Sequence, residues 1–100
     1  MVTKGLQVTL KAKPGKEQEL SDFLAGALPL ANAEAETTAW FAIKVDDSTY
    51  GIVDFFPGTQ GRQAHLDGPI AAALMSKAGE LLSAPPDIKP IDVLAAKLPA

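Results

Sequence analysis

The stretch Thr-Thr-Ala-Trp-Phe-Ala-Ile-Lys-Val at residues 37–45, with Thr-Tyr-Gly-Ile-Val-Asp-Phe-Phe at residues 49–56, decides the fold. Both stretches are rich in β-branched and aromatic residues, which favour strands. Between them lies Asp46-Asp47-Ser48, whose short polar side chains are typical of a turn. The sequence therefore predicts an antiparallel β-hairpin, which Pro57-Gly58 ends.

Upstream of the hairpin, the spacing of the apolar residues changes from that of a strand to that of a helix. Residues 5–13 alternate, with Leu6, Val8, Leu10 and Ala12 on one side, which predicts a strand. Residues 16–28 carry apolar side chains three and four positions apart, which predicts an amphipathic helix. Pro29 should end or kink that helix. Residues 31–36 are interpreted as a connection that could hold another helical turn.

Downstream of the hairpin, residues 59–82 have a helical pattern that Gly68-Pro69 divides in two, because proline suits the first position of a helix. Residues 88–98 return to a strand pattern. The order β-α-β-β-α-β is the ferredoxin-like one. The sequence thus predicts one α+β domain over residues 1–100, a four-stranded antiparallel sheet with two helices on one face.

The predicted sheet is apolar on both faces. In the hairpin, Phe41 and Val53 have the opposite parity from Trp40 and Ile52, yet all four are apolar. The helices cover only one face, so the other needs a cover of its own. The simplest cover is the same sheet of a second copy across a two-fold axis, which predicts a homodimer. Alternatively, long side chains and the chain termini shield this face.

The composition excludes several functional classes. The net charge is −3 and the nine Lys and Arg residues are scattered, which argues against a nucleic-acid partner. Cysteine is absent, which excludes disulfides, thiolate catalysis and cysteine-based zinc sites. One histidine is too few for a multi-histidine metal centre in one chain, and we expect no cofactor. No apolar run approaches the roughly 20 residues that cross a bilayer, so no membrane contact and a cytoplasmic location are expected.

Two segments resemble a known family. Residues 51–69 (Gly-Ile-Val-Asp-Phe-Phe-Pro-Gly-Thr-Gln-Gly-Arg-Gln-Ala-His-Leu-Asp-Gly-Pro) and residues 13–17 (Lys-Pro-Gly-Lys-Glu) are similar to the antibiotic biosynthesis monooxygenase-like family of dimeric α+β barrels. The resemblance implies a small cofactor-independent oxygenase acting on quinols or polyketide anthrones. The haem-degrading branch of that family uses an asparagine on the first strand. Gln7 and Thr9 stand there instead, which disfavours haem degradation.

The candidate catalytic residues are His65 and Asp54. His65 is the only histidine, and its neutral form could accept a proton from a phenolic hydroxyl group. It could equally be a buried structural histidine. Asp54 lies in an apolar strand, where a carboxylate requires a partner. In a functional role Asp54 could be a base or could orient His65, and in a structural role it would form an ion pair with Arg62 across the strand-to-helix turn.

Four further residues are predicted to bind the substrate. Arg62 lies one helical turn before His65 and could bind a phenolate or enolate oxygen, although the ion pair with Asp54 is the simpler role. Trp40, Tyr50 and Phe56 could form aromatic walls, or they could simply pack in the core or the dimer interface.

These residues support two hypotheses. The first is a cofactor-independent monooxygenase for a small aromatic or quinol-type substrate, without a metal. The alternative is a non-catalytic dimer on the same scaffold that binds a small ligand or has a stress-related role.

Overall fold

The predicted ferredoxin-like α+β fold is confirmed in a computed structural model, which describes residues 1–99. The four strands form one antiparallel sheet in the order β2-β3-β1-β4. The elements are β1 (Lys4–Lys11), α1 (Glu17–Gly26), α2 (Leu28–Asn32), β2 (Ala39–Lys44), β3 (Thr49–Phe56), α3 (Thr59–Leu66), α4 (Pro69–Leu81) and β4 (Asp87–Asp92).

The core lies between the two central strands and the helices. Alternate residues of β1 and β3 point to the helices, as the period of two requires. The side chains that they bury there are Leu6, Val8 and Leu10 from β1 and Tyr50, Ile52, Asp54 and Phe56 from β3. Leu20 and Leu24 of α1 and Leu74 and Leu81 of α4 close the core from the other side. Asp54 is the one charged residue in this set.

Each of the two predicted helical segments consists of two helices. The first ends at Gly26, and Pro29 lies in the first turn of the short helix α2. A proline is tolerated there because the first turn has no intrahelical partner for its missing N–H. The division at Gly68-Pro69 is confirmed, with Pro69 at the start of α4.

The last strand is shorter than predicted. It ends at Asp92, and residues 93–99 have no regular secondary structure, so the predicted strand over residues 88–98 is wrong in its second half. The pairing with β1 ends at Lys4 opposite Asp92, followed by one more bond from the Val93 N–H to the Thr3 carbonyl. The apolar alternation continues to Leu98, but no neighbouring strand is left to pair with it.

The face of the sheet opposite the helices carries an apolar patch, mainly on β2 and β3, whereas Gln7 of β1 and Lys89 of β4 are exposed polar residues on the same face. Phe41 and Ile43 of β2 are 53% and 40% exposed, and Val53, Phe55 and Ile91 are half-buried on the same face. Within residues 1–99, no helix combines the length and the apolar character needed to span a membrane.

Candidate functional site

Three ionisable side chains meet under the helices: Glu34, Asp54 and His65. His65 lies in the last turn of α3, and Asp54 points up at it from the helix-covered face of β3. The His65 Nε2 atom is 2.9 Å from Asp54 Oδ2, and its Nδ1 atom is 2.6 Å from Glu34 Oε1. Asp54 is fully buried and His65 is 7% exposed, so the cluster is screened from water.

Glu34 reaches this cluster from the turn after α2. Backbone hydrogen bonds from Ala33 and Glu34 to the carbonyls of Leu30 and Ala31 wrap the chain tightly there. The Thr37 hydroxyl donates to Glu34 Oε1 over 2.7 Å and fixes the carboxylate. The ring of Phe56 packs against the imidazole, with ring centroids 5.4 Å apart. These contacts therefore hold the Glu34 carboxylate and the His65 imidazole in place next to each other.

The surroundings favour a protonated imidazole. Both ring nitrogens face carboxylate oxygens, and only the imidazolium ion has an N–H on each of them. Burial by itself lowers the pKa of His65, but the carboxylates of Asp54 and Glu34, one beside each ring nitrogen, outweigh burial and raise the pKa above its ordinary value of 6.5. Neither nitrogen is therefore free to take a proton from a substrate.

Several buried polar atoms in this region lack a hydrogen-bond partner. They are Glu34 Oε2, Trp40 Nε1 and both carboxylate oxygens of Asp54. Asp54 Oδ2 lies close to His65 Nε2, but this contact is a charge pair without good hydrogen-bond geometry. Unpaired buried polar atoms are rare and mark places where water or a ligand supplies the missing partner.

Three cavities lie around Trp40, Glu34 and His65. An open cleft of about 430 Å³ runs between α1 and β2 and is lined by Leu24, Leu28, Trp40 and Tyr50, among others. A smaller cavity of about 150 Å³ is lined by Leu28, Glu34, Thr37 and Trp40. A third, of about 160 Å³, is lined by Glu34, Glu36, Gly61 and His65. Trp40 and Leu28 line both the cleft and the first small cavity, so these two spaces adjoin.

The structure brings some of the predicted site residues together and separates others. His65 and Asp54 are in contact, and Trp40 and Tyr50 line the cleft. Phe56 is fully buried beneath the imidazole.

Arg62 points away from this cluster. Its Nη1 atom is 3.3 Å from the carbonyl oxygen of Ile91 and 3.4 Å from that of Gly5. Among residues 1–99, Asp54 pairs with His65 and forms no ion pair with Arg62, so that predicted pair is wrong.

Glu34 was missed by the sequence reasoning. It lies in Ala-Asn-Ala-Glu-Ala-Glu, residues 31–36, which has no strong periodicity and reads as a connection. Nothing in that segment distinguishes Glu34 from the exposed Glu36 two positions later. In the part of the chain that the structure describes, no group of three or more His, Cys, Asp or Glu side chains is arranged to hold a metal ion.

Comparison with known proteins finds similar solved structures. No protein-family model and no curated protein matches the chain. The protein NE2512 of Nitrosomonas europaea, described as being of unknown function, is 61% identical in sequence, with a TM-score of 0.98. That match covers 100% of this chain and 97% of NE2512.

Two similar structures are provisionally assigned as antibiotic biosynthesis monooxygenases. One, from Nitrosomonas europaea, is 10% identical with a TM-score of 0.81, over 92% of this chain and 90% of that one. The other, from Caulobacter crescentus, is 17% identical with a TM-score of 0.75, over 94% and 92%. At this identity the likeness shows the fold alone, and the fold is the one that the resemblance implied. The chain therefore belongs to the family of NE2512 and shares the fold of the antibiotic biosynthesis monooxygenase-like proteins.

Proposed function

We propose that this protein is a cofactor-independent monooxygenase that acts on a small aromatic or quinol-type substrate. One observation carries the proposal: Glu34, which contacts His65 in the buried cluster, lines a small cavity, and Trp40 and Leu28 are common to the walls of that cavity and of the cleft. Titratable groups with perturbed surroundings next to a cleft are characteristic of active sites. The provisional assignments of the two similar structures agree with this reaction class.

The aromatic ring of the substrate would lie in the cleft between α1 and β2. Trp40 offers a flat indole surface, Leu24 and Leu28 supply apolar walls, and Tyr50 is almost fully buried at its edge. Because Leu28 and Trp40 also line the smaller cavity, a polar substituent on the ring can extend towards Glu34.

Glu34 is the proton acceptor in this proposal. Both ring nitrogens of His65 are engaged by carboxylates, whereas Glu34 Oε2 has no partner. His65 and Asp54 hold Glu34 in place, so they act as positioning residues and not as the base. This division of roles differs from the sequence-based prediction, in which His65 removes the proton.

The oxidation balances without an added reductant. For an anthrone-type substrate, Glu34 takes one proton from the reactive CH₂ group and leaves an electron-rich carbanion. One electron passes from the carbanion to O₂, and the two radicals join through a new C–O bond to give a peroxide anion. This anion takes the proton back from Glu34 and becomes a hydroperoxide. Loss of water then gives the carbonyl product, so CH₂ and O₂ become C=O and H₂O. The protein supplies orientation, the base and a dry site.

Oxygen uptake tests this proposal. Wild-type protein is assayed with an oxygen electrode across a panel of quinols and anthrones, beside Glu34→Gln and the control Glu80→Gln, which removes one exposed charge from α4. We expect turnover of at least one compound, a loss of about 10²- to 10⁴-fold in Glu34→Gln, and no change in the control. Absence of uptake by the wild type across the panel would refute the function.

The alternative is a non-catalytic dimer that binds a small ligand or has a stress-related role. The observation in its favour is the close packing of His65, which is 7% exposed and held at both ring nitrogens. In that case an aromatic compound binds in the cleft without consuming oxygen. Ligand titration combined with the electrode assay separates the two functions.

We also propose that the protein is a homodimer joined through the helix-free face of the sheet. Phe41 and Ile43 are exposed there, and Leu94 in the adjoining C-terminal segment is 98% exposed. Burying such a patch against a second copy would remove apolar surface from water. The expected cytoplasmic location is part of the same proposal, and cell fractionation would test it.

Molecular mass in solution tests the dimer. Light scattering should give twice the chain mass for the wild type, and Phe41→Lys should shift it to the monomer. Met75→Lys, at an exposed position on α4, is the control and should remain dimeric. A monomeric wild type at the highest concentration reached would refute this proposal.

A further inference from the structure

The segment between α2 and β2, residues 33–38, is held against α3 mainly by polar contacts. Glu34 and Thr37 are half-buried, and the other residues from 32 to 38 are exposed. In the middle of the segment, Glu34 Oε1 lies 2.6 Å from His65 Nδ1, and at its end the Thr38 N–H donates to the Phe55 carbonyl oxygen. A segment that buries little apolar surface opens more readily than the core of the same protein.

Two glycines give this segment room to lie close to the helices. Gly61 lies in α3 one turn before His65, and Gly68 lies just before α4. A Cβ atom on Gly61 would be only 3.0 Å from both the Cβ atom and the carbonyl oxygen of Glu36. A Cβ atom on Gly68 would be 3.4 Å from Glu34 Oε2. The two glycines therefore form a seat into which residues 34–36 fit.

The same segment separates two small cavities. Glu34 and Thr37 line the cavity of about 150 Å³ beside Trp40 and also the cavity of about 160 Å³ beside His65. Asp54 is fully buried, and Glu34 Oε2 has almost no surface exposed to water. A ligand therefore cannot reach these groups while the segment stays in place. Outward movement of Glu34 and Thr37 would join the two cavities next to His65.

The closed position of the segment combines a favourable and an unfavourable contact of one side chain. Glu34 Oε1 is stabilised by His65 and by the Thr37 hydroxyl group. Glu34 Oε2 is buried and finds no hydrogen-bond partner in the described part of the chain, which is unfavourable. Water would supply that partner once the segment moves outward. The loss of the contact with His65 is therefore partly offset on opening.

We infer that residues 33–38 are a lid that opens while the rest of the domain stays folded. The contact between Glu34 and His65 is its latch, and Gly61 and Gly68 are its seat. An open lid lets a ligand reach the space beside His65, and closure brings Glu34 back to that space. The inference goes beyond the proposed function, because the movement of the lid is measured without ligand and without turnover.

Two rates measured on ligand-free protein test the lid. The first is amide hydrogen exchange by NMR, at Thr37 within the lid and at Ala12, whose N–H donates to the Ser48 carbonyl beyond the far end of β1. The second is modification of His65 by diethyl pyrocarbonate, which is unambiguous because the chain has a single histidine. In the wild type we expect Thr37 to exchange through openings that leave the Ala12 amide protected.

Two variants loosen the lid in different ways. Glu34→Gln weakens the latch, and Gly61→Ala crowds Glu36 on the seat without removing a charge. Each should accelerate Thr37 exchange and His65 modification together by about fivefold to a hundredfold, as expected for a lost charged hydrogen bond or for overpacking. Because Glu34→Gln also alters the protonation of His65, Gly61→Ala decides the modification result.

Each variant has a matched control. Glu36→Gln removes an exposed charge from the lid and keeps its Cβ atom, and Gly79→Ala adds a methyl group to a helix where there is open space. Neither control should change either rate relative to Ala12 exchange.

The outcomes separate the lid from the proposed function. Unchanged rates in Gly61→Ala refute the lid, as does an equal acceleration of Ala12 exchange, which would mean a global loss of stability. Thr37 exchange as slow as that of Ala12 in the wild type also refutes it, and this result stands even where a variant fails to fold. Lid opening without oxygen uptake would uphold the inference and refute the monooxygenase, whereas oxygen uptake with equally slow exchange at Thr37 and Ala12 would do the reverse.

Discussion

Replacing His65 by glutamine removes the cation from a cluster of two carboxylates. The imidazole lies 2.6 Å from Glu34 Oε1 and 2.9 Å from Asp54 Oδ2, and it is 7% exposed. Glutamine is neutral and close in size. The two carboxylates remain on opposite sides of it without a positive charge between them.

The expected loss in the free energy of unfolding is about 3–5 kcal/mol, which is the usual effect of removing one partner from a buried ion pair. A domain of this size is typically stable by about 5–15 kcal/mol, so the variant should still fold. With a urea m-value of about 2 kcal/mol per M, the unfolding midpoint falls by about 1.5–2.5 M. The melting temperature falls by about 12 °C or more.

The loss should depend on pH in one direction. The pKa of His65 in the folded protein is raised above 6.5. The stabilisation by His65 is therefore fully present below about pH 6.5 and is lost as the pH rises through the folded-state pKa. The difference between wild type and His65→Gln should be largest near pH 6 and smaller near pH 9.

Urea unfolding followed by circular dichroism, at one fixed protein concentration and at both pH values, measures these differences. Gln60→Ala, at an exposed position of α3, is the control and should change stability by less than about 0.5 kcal/mol. A loss below about 1 kcal/mol near pH 6, or an equal loss at both pH values, would show that the imidazolium does not hold the cluster together.

Two further predictions concern the sheet and the site. A Cβ atom on Gly51 would lie 2.6 Å from the Val8 carbonyl oxygen, so Gly51→Ala should lower the free energy of unfolding by about 1–3 kcal/mol. In α4, a Cβ atom on Gly79 would meet no atom within 4 Å outside its own helix turn, so Gly79→Ala should raise the free energy of unfolding by about 0.5–1 kcal/mol, and chemical denaturation compares the two variants. Arg62→Gln should leave the rate of oxygen uptake within about twofold, because the guanidinium contacts backbone carbonyls away from Glu34 and the cleft. A tenfold loss in the electrode assay would return Arg62 to the substrate site.

Much of the fold could be predicted because it follows from local patterns in the sequence. The alternation in β1 identified its buried side chains, and the turn residues at 46–48 placed the hairpin. The length of β4 could not be predicted in this way, because the alternation continues after Asp92 although β1 offers no further partner. The end of a strand depends on where the neighbouring strand ends, so the sequence of one strand alone does not give its length.

The sequence by itself determined the α+β order and the apolar side chains on both faces of the hairpin, and it left open whether Asp54 pairs with His65 or with Arg62. Only the tertiary structure decided that Glu34, 31 residues before His65, occupies the second ring nitrogen and that Arg62 turns away. The physical reason is that periodicity reports which face a residue belongs to, whereas a site depends on which faces meet. Glu34 comes from an irregular turn after α2, where no period exists, and its role follows from the packing of that turn against α3.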